Sequence, residues 1–221
     1  MTTYRLADRI PPDHSALQSY SPLVRQLLFA RGVTTDDAAA AFLAPDYESA
    51  LHSPWLLPGV ELAVERIVAA IAANEHIVIY SDYDCDGIPG GVILYDLFQA
   101  LAYKQFHNHI PPRHYDGFGL HTAAVEQLAK DGAQLIITID CGTTDVAAVA
   151  RANELGVDVI ITDHHRYGSE LPAAEAIVHP ALPGYDYSFA GLCGAGVAFK
   201  LAWCLCQLHS GTPKVASHLR D

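Results

Sequence analysis

Acidic residues and histidines directly follow three short apolar runs of the chain, and their types and spacing could hold divalent metal ions. The runs are residues 76–81, 134–139 and 157–162. Carboxylates and imidazoles are costly to bury without partners, and together they suit Mn²⁺, another first-row metal, or Mg²⁺ with help from other ligands. The pattern therefore indicates a metal site, with a structural hydrogen-bond network as the alternative. The residues concerned are Asp82, Asp84, Asp86, Asp140, Asp163, His164 and His165.

The three runs also predict the elements that must position these side chains. Each run is short, rich in β-branched residues and almost continuously apolar, which is typical of strands buried on both faces of a parallel sheet. Helical patterns alternate with the runs, so we predict an α/β fold, a parallel sheet with helices on both faces. Ligands bind beyond the carboxyl ends of such strands. Neighbouring strands would therefore bring the acidic and imidazole groups to one rim of the sheet.

The chain divides into two predicted regions, a helical amino-terminal segment over residues 1–75 and the sheet domain over residues 76–221. The boundaries follow from hydrophobic periodicity together with helix start and stop signals. The predicted helices cover residues 23–30, 34–44, 60–74, 90–102, 121–131, 145–155 and 196–208, and the predicted strands residues 76–81, 104–111, 134–139, 157–162 and 176–179.

The first acidic motif, D-Y-D-C-D-G, places carboxylates at alternate positions. Alternate side chains of an extended segment point the same way, so Asp82, Asp84 and Asp86 are expected to converge on one cation cluster. The motif also resembles the start of an EF-hand calcium loop, but Ile93 stands where that loop needs a glutamate. The flanking elements, a strand and a buried helix, further favour the strand-end site over calcium.

A site for two ions would give this set of residues a phosphoryl-transfer chemistry. Two divalent ions bridged by a shared carboxylate polarise a phosphoryl group and lower the pKa of bound water. Asp140, on the middle strand of the scheme, is the predicted bridging carboxylate. Arg113 could direct two parallel donors at a phosphate, with an ordinary surface arginine as the alternative. The glycine-rich residues 191–196 could cradle an anion, although tight packing is the favoured explanation.

The composition is that of a compact globular protein with an excess of negative charge. Of the 221 residues, 51% are hydrophobic and 17% are charged, and the formal net charge is −12. This charge gives no long-range attraction to nucleic acid, so a polyanionic substrate would need metal ions or local basic residues. The five cysteines form no C-x-x-C pair, which disfavours a zinc ribbon or a disulfide framework. The amino terminus lacks a signal-peptide pattern and no run reaches membrane-spanning length, so we expect a cytoplasmic protein without membrane contact.

Several motifs stand in an order and at separations that resemble the DHH phosphoesterase superfamily, and within it the bacterial RecJ exonucleases. The resemblance covers about residues 20–210 and rests on the sequences DYDCDG, IPPRHYDGFGL, LIITIDCG, VIITDHH and LCGAGVAFKL. It implies a two-metal nuclease that digests single-stranded DNA from 5′ to 3′ with Mn²⁺ or Mg²⁺, in DNA repair and recombination. Single-stranded DNA is the implied partner, with single-stranded-DNA-binding protein as a further candidate.

The resemblance also implies roles for the matching residues. Asp140 matches the bridging carboxylate, and His165 is expected near the scissile phosphate, with Asp163 completing the catalytic signature. Arg113 matches an arginine that such enzymes direct at phosphate. The residues that match metal ligands or their acidic neighbour are Asp82, Asp84, Asp86, Asp140 and His164.

Three departures separate this chain from the family pattern. Pro112 stands where the family usually has asparagine, and residues 88–91, Ile-Pro-Gly-Gly, stand where small hydroxyl residues usually follow the first motif. A further metal-binding aspartate, a second catalytic lobe and an OB-fold lie beyond Asp221 in the family. We therefore expect an amino-terminal fragment that binds manganese but degrades single-stranded DNA poorly.

Two alternative functions follow from the same motifs. A DHH phosphoesterase of short oligonucleotides or nucleotide phosphates is disfavoured by Tyr80, because relatives of that kind resemble the first motif with a histidine at this position. A non-catalytic interaction module that keeps only the fold is disfavoured because the acidic residues of the motifs are all present.

Overall fold

The computed structural model describes residues 6–112 and 117–211. Contacts within the chain divide it into two compact units, Met1–His52 and Ser53–Asp221. The last helix before the sheet belongs to the second unit by this division. The division of the chain at residue 75 stays a prediction.

The described part of the first unit is helical. The hydroxyls of Ser21 and Thr35 cap its first two helices, because each accepts a hydrogen bond from a backbone N–H three residues later. Leu17, Leu28 and Ala39 form a small buried core. The helices are α1 (Pro22–Phe29), α2 (Asp36–Leu43) and α3 (Tyr47–Ala50).

The sheet of the second unit has five strands in the order β2-β1-β3-β4-β5. Every neighbouring pair is parallel, which confirms the predicted parallel sheet. The three strands that precede acidic residues, β1, β3 and β4, are adjacent, and their last residues Ser81, Ile139 and Thr162 lie in register. The strands are β1 (Ile77–Ser81), β2 (Phe106–His109), β3 (Leu135–Ile139), β4 (Asp158–Thr162) and β5 (Ala176–Val178).

Helices cover both faces of the sheet, as predicted. Because successive side chains of a strand point to opposite faces, Ile77 and Ile79 of β1 lie in one core and Val78 and Tyr80 in the other. No described helix combines the length and apolarity that a membrane crossing requires. The first core contains residues of α4 (Val60–Ala73), α5 (Gly87–Ala100) and α8 (Gly194–Ser210), and the second contains residues of α6 (Thr122–Lys130) and α7 (Val146–Glu154).

Helix α5 begins at Gly87, before the predicted start at Gly90. Pro89 falls in its first turn, where the missing N–H removes no hydrogen bond. A Cβ atom on Gly90 would collide with the side chain of Ile139, and one on Gly91 with the side chain of Ser81. The absence of side chains at Gly90 and Gly91 therefore leaves room for the side chains of Ile139 on β3 and Ser81 on β1.

Candidate metal centre

The aspartates that directly follow β1, β3 and β4 lie side by side at the carboxyl rim of the sheet. The N–H groups of Asp82, Asp140 and Asp163 each donate to the last carbonyl of a neighbouring strand, over 3.1, 2.8 and 3.2 Å. All three residues are buried, with exposed fractions of 1% or 2%. Parallel pairing thus places three carboxylates from distant parts of the sequence at one level of the rim.

Two sets of three candidate ligands share Asp140. In each set, one ligand atom from every residue lies within 4.8 Å of the others. One set contains acids only, whereas the other contains one acid and two imidazoles. Each set could hold a metal ion, and Asp140 belongs to both. The sets are Asp82, Asp84 and Asp140, and Asp140, His164 and His165.

Asp140 lies in an environment that opposes its negative charge. Neither of its carboxylate oxygens reaches hydrogen-bond geometry with a donor of the described residues, although His164 Nε2 lies 3.1 Å from Oδ1. Burial, followed by the charges of Asp86 and Asp84, raises the pKa of Asp140 to about 8. A buried carboxylate among like charges is tolerated when a cation neutralises it, so this environment fits a metal ligand.

The backbone at Asp140 is also specialised. Its φ of 64° lies in the left-handed region, which aspartate and asparagine adopt more readily than most residues. Gly194, the first residue of α8, lies against its carboxylate, and a Cβ atom there would overlap the carboxylate. Strain at a candidate ligand is consistent with a site that the surrounding fold holds in place.

Asp84 is exposed but is held in a fixed orientation. Its Oδ1 accepts hydrogen bonds from the N–H groups of Asp86, over 2.8 Å, and Gly87, over 2.9 Å. The hydrogen bond from Gly87 is the main cause that lowers the pKa of Asp84, even though partial burial works against it. Asp84 therefore offers a charged carboxylate to the acidic set.

The sequence pattern predicts that Asp86 converges with Asp82 and Asp84, but Asp86 is not a member of the acidic ligand set. Its two oxygens accept hydrogen bonds from the N–H groups of Gly194 and Ala195, each over 2.8 Å, at the start of α8. Burial opposes its charge, but these bonds, the Cys193 side chain and the nearby His164 together lower its pKa. The glycine-rich segment thus does bind an anion, a carboxylate of the chain itself. His164 Nε2 lies 3.6 Å from Oδ2 of Asp86, so a metal role for Asp86 stays a prediction.

Asp163 orients the histidine pair. Its Oδ2 accepts from the backbone N–H and the hydroxyl of Thr143, over 3.0 and 2.6 Å. Its Oδ1 accepts from the N–H groups of His164 and His165, over 2.7 and 3.1 Å, and lies 2.8 Å from His165 Nδ1. Burial opposes the charge of Asp163, but these bonds lower its pKa. The same contact and the charges of Asp163 and Asp140 outweigh burial at His165 and raise the pKa of its imidazole.

Arg113, the predicted phosphate ligand, lies outside the described residues. Two hydrogen bonds hold Gly119 and Leu120, which lie in the described segment that follows it. The Tyr80 hydroxyl donates to the carbonyl of Gly119 over 3.1 Å, and the N–H of Leu120 donates to Asp145 over 2.6 Å. Tyr80 therefore serves as an anchor on the side of the sheet that carries α6 and α7.

Sequence reasoning missed two residues that contact this centre. Thr143 lies one residue beyond the D-C-G motif, and no sequence signal distinguishes it from an ordinary loop threonine. His179 follows β5 and lies 2.8 Å from the carbonyl oxygen of His165. The rule that polar residues at strand ends meet at the rim, applied to the predicted strand 176–179, could have found His179.

Comparisons with known proteins agree with the motifs. A family model described as "DHH family, N-terminal domain" matches residues 76–219. The single-stranded-DNA-specific exonuclease RecJ of Bacillus subtilis is 41% identical over 200 residues, which cover 88% of this chain and 25% of that protein. RecJ of Escherichia coli is 37% identical over 187 residues, which cover 83% of this chain and 31% of that protein.

Solved structures give the same result. A crystal structure of exonuclease RecJ bound to manganese matches with a TM-score of 0.66 and 34% identity, over 74% of this chain and 41% of that one. RecJ from Thermus thermophilus in complex with Mn²⁺ matches with a TM-score of 0.65 and 31% identity, over 84% of this chain and 25% of that one. The chain therefore spans between a quarter and two fifths of the length of these proteins.

Proposed function

Since the chain belongs to the DHH family, we propose that it forms the metal-binding part of a phosphodiesterase that digests single-stranded DNA. The observation that carries the proposal is the position of Asp140, a buried carboxylate shared by two sets of candidate ligands. In two-metal phosphodiester chemistry, a carboxylate in this position would serve both divalent ions. The mixture of oxygen and nitrogen ligands favours Mn²⁺, with Mg²⁺ as the second candidate, over calcium.

Asp82, Asp84 and Asp140 would hold one ion, and Asp140 together with His164 the other. When bound, the ions would polarise the scissile phosphoryl group and supply hydroxide near neutral pH. His165 belongs to the second set, but its Nδ1 already contacts Asp163. We therefore assign His165 to the phosphate side of the centre and Asp163 to positioning its ring. Arg113 is the proposed ligand of a phosphate oxygen.

Asp140 and Asp84 would enter the metal site with different pKa values. Because burial and the charges of Asp86 and Asp84 raise the pKa of Asp140 to about 8, a metal ion would compete with a proton for this carboxyl group near neutral pH. Asp84 enters the site already ionised, since backbone N–H groups stabilise its charge. Asp84 would thus contribute a permanent negative charge, whereas the negative charge of Asp140 would be favoured by the metal ion.

The proposed substrate is single-stranded DNA, digested from 5′ to 3′ in DNA repair and recombination in the cytoplasm. The support is the similarity to relatives named single-stranded-DNA-specific exonucleases. With a net charge of −12, the chain would bind DNA through its metal ions and local arginines rather than through long-range attraction. Single-stranded-DNA-binding protein is a proposed further partner on the same grounds of family resemblance.

The test is hydrolysis of a long 5′-phosphorylated single strand, compared with a dinucleotide, by the 221-residue chain in the presence of Mn²⁺. We expect slow release of nucleotides from the strand, because the chain spans only 25% of the Bacillus subtilis relative, and no release by Asp140→Asn. Preference for the dinucleotide would favour the short-substrate phosphoesterase. Equal calorimetric heats of Mn²⁺ binding to wild type and Asp140→Asn would favour the interaction module.

A further inference from the structure

His179 is a buried histidine at the end of β5, with an exposed fraction of only 1%. It is neither one of the residues matched to the family's motifs nor a member of the two ligand sets. The ring of Tyr167 packs edge-on against its ring, with centroids 5.8 Å apart. Burial of a polar ring at this place requires that its nitrogens find partners.

Both ring nitrogens of His179 have partners of fixed character. Nε2 lies 2.8 Å from the carbonyl oxygen of His165, which can only accept a hydrogen bond. Nδ1 accepts a hydrogen bond from the N–H of Ala181 over 3.0 Å. These two partners together place a proton on Nε2, which donates to the carbonyl of His165.

Hydrogen bonds therefore hold both the N–H and the carbonyl of His165. Its N–H donates to Asp163 over 3.1 Å, and its carbonyl accepts from His179 over 2.8 Å. Asp163 follows β4 whereas His179 follows β5, so the two contacts come from neighbouring strand ends. A loop held at both polar groups of one peptide residue restrains the backbone next to His164, the candidate ligand.

We propose that His179 is a positioning residue of the metal centre, which acts through the carbonyl of His165 and not through contact with metal or substrate. This inference rests on the proposed function, since it assumes that His164 binds a metal ion. Removing a partner in the outer shell of a metal site typically weakens metal binding roughly tenfold to a hundredfold. The same range is expected here when the contact to His165 is lost.

Two substitutions separate the contacts of His179. His179→Gln retains a donor at the distance of Nε2 but loses the acceptor at the position of Nδ1. His179→Asn retains an acceptor that can pair with the N–H of Ala181, in the manner of an Asx turn, but is too short to reach His165. The two variants therefore exchange one contact for the other in side chains that differ by one methylene.

The first measurement is backbone amide exchange at His164 and His165 in the full 221-residue chain without metal. It reports the anchoring of the loop whether or not the chain binds metal. The second measurement is the affinity for Mn²⁺ by calorimetry. Thermal unfolding of each variant accompanies both measurements and identifies any global loss of structure.

The proposal expects faster amide exchange and roughly tenfold to a hundredfold weaker Mn²⁺ binding for His179→Asn, and values near wild type for His179→Gln. The reverse order would assign His179 to the turn at Ala181 alone and overturn the proposal. Equal behaviour of the two variants, whether near wild type or impaired, would also overturn it. Failure of wild type to bind Mn²⁺ would refute the proposed function, whereas amide exchange would still decide the anchoring role.

Discussion

Replacing Asp140 with asparagine should stabilise the metal-free chain, and increasingly so as the pH rises. Asparagine has the shape of aspartate and tolerates the left-handed backbone, with φ of 64°, that this position adopts. Alanine would mix the loss of charge with backbone strain. Asp140→Asn therefore changes the charge at the centre of the rim while the fold around it is kept.

The magnitude follows from the pKa of Asp140, which burial and the charges of Asp86 and Asp84 raise from 3.8 to about 8. Between these two values the native chain holds a proton that the unfolded chain has released. The free energy of unfolding of wild type therefore falls as the pH rises through this window, by up to about 1.4 kcal/mol per pH unit. Relative to Asp140→Asn, wild type should lose about 2 kcal/mol between pH 6 and pH 8, and the difference should level off above pH 8.

Urea denaturation followed by tryptophan fluorescence, with a chelator and a thiol reductant present, measures this difference. Asp96→Asn, at an exposed aspartate of α5, is the matched control for the loss of one carboxylate. With Mn²⁺ present, wild type should become more stable than Asp140→Asn, because Mn²⁺ binding stabilises wild type by mass action and the variant hardly at all. A difference between wild type and Asp140→Asn that is identical at pH 6 and pH 8 would refute the reasoning.

Two further substitutions test the residues that support the rim. Thr143→Val removes the hydroxyl that donates to Asp163 over 2.6 Å, so it should lower the free energy of unfolding by roughly 1.5 to 3 kcal/mol and weaken Mn²⁺ binding. Thr143→Ser should keep both properties, and denaturation with calorimetry compares the pair. Gly194→Ala adds a Cβ atom that overlaps the Asp140 carboxylate, so Mn²⁺ affinity should fall on the order of tenfold although no candidate ligand is removed. Gly168→Ala, where a Cβ atom meets only ordinary contacts, is the control, and equal affinities would show that Asp140 can move aside.

The sheet and its acidic rim could be predicted because they depend on local patterns. Continuous β-branched runs such as Leu135–Ile139 are fully buried strands, and parallel pairing of β1, β3 and β4 then forces the residues after them to one level. Register alone places Asp82, Asp140 and Asp163 side by side. No knowledge of side-chain packing is needed for that step.

The hydrogen-bond partners of Asp86 could not be predicted in the same way. The alternation of the D-Y-D-C-D-G motif treats the segment as extended, whereas α5 already begins at Gly87 and turns the chain at Asp86. The partner of Asp86 is the start of α8, at Gly194 and Ala195, more than a hundred residues later. Which anion a helix terminus binds depends on tertiary packing, so periodicity and spacing carry no information about it.

Thr143 and His179 illustrate a second limit. Both act through hydrogen bonds to Asp163 or to the backbone of His165, and neither belongs to a set of metal-ligand types at suggestive spacing. A motif identifies the groups that touch a ligand more readily than the groups that hold them. The strand-end rule could have found His179, but distances in the fold were needed to identify Thr143 and the partners of both residues.

The most direct test of the two-ion site is electron paramagnetic resonance of the chain with two equivalents of Mn²⁺. A shared carboxylate should couple the two ions magnetically, so wild type should give the broad spectrum of an exchange-coupled pair. Asp140→Asn should give at most the six-line signal of isolated Mn²⁺. An uncoupled spectrum from wild type with both ions bound, or a coupled spectrum that persists in Asp140→Asn, would contradict Asp140 as the bridge between two metal ions.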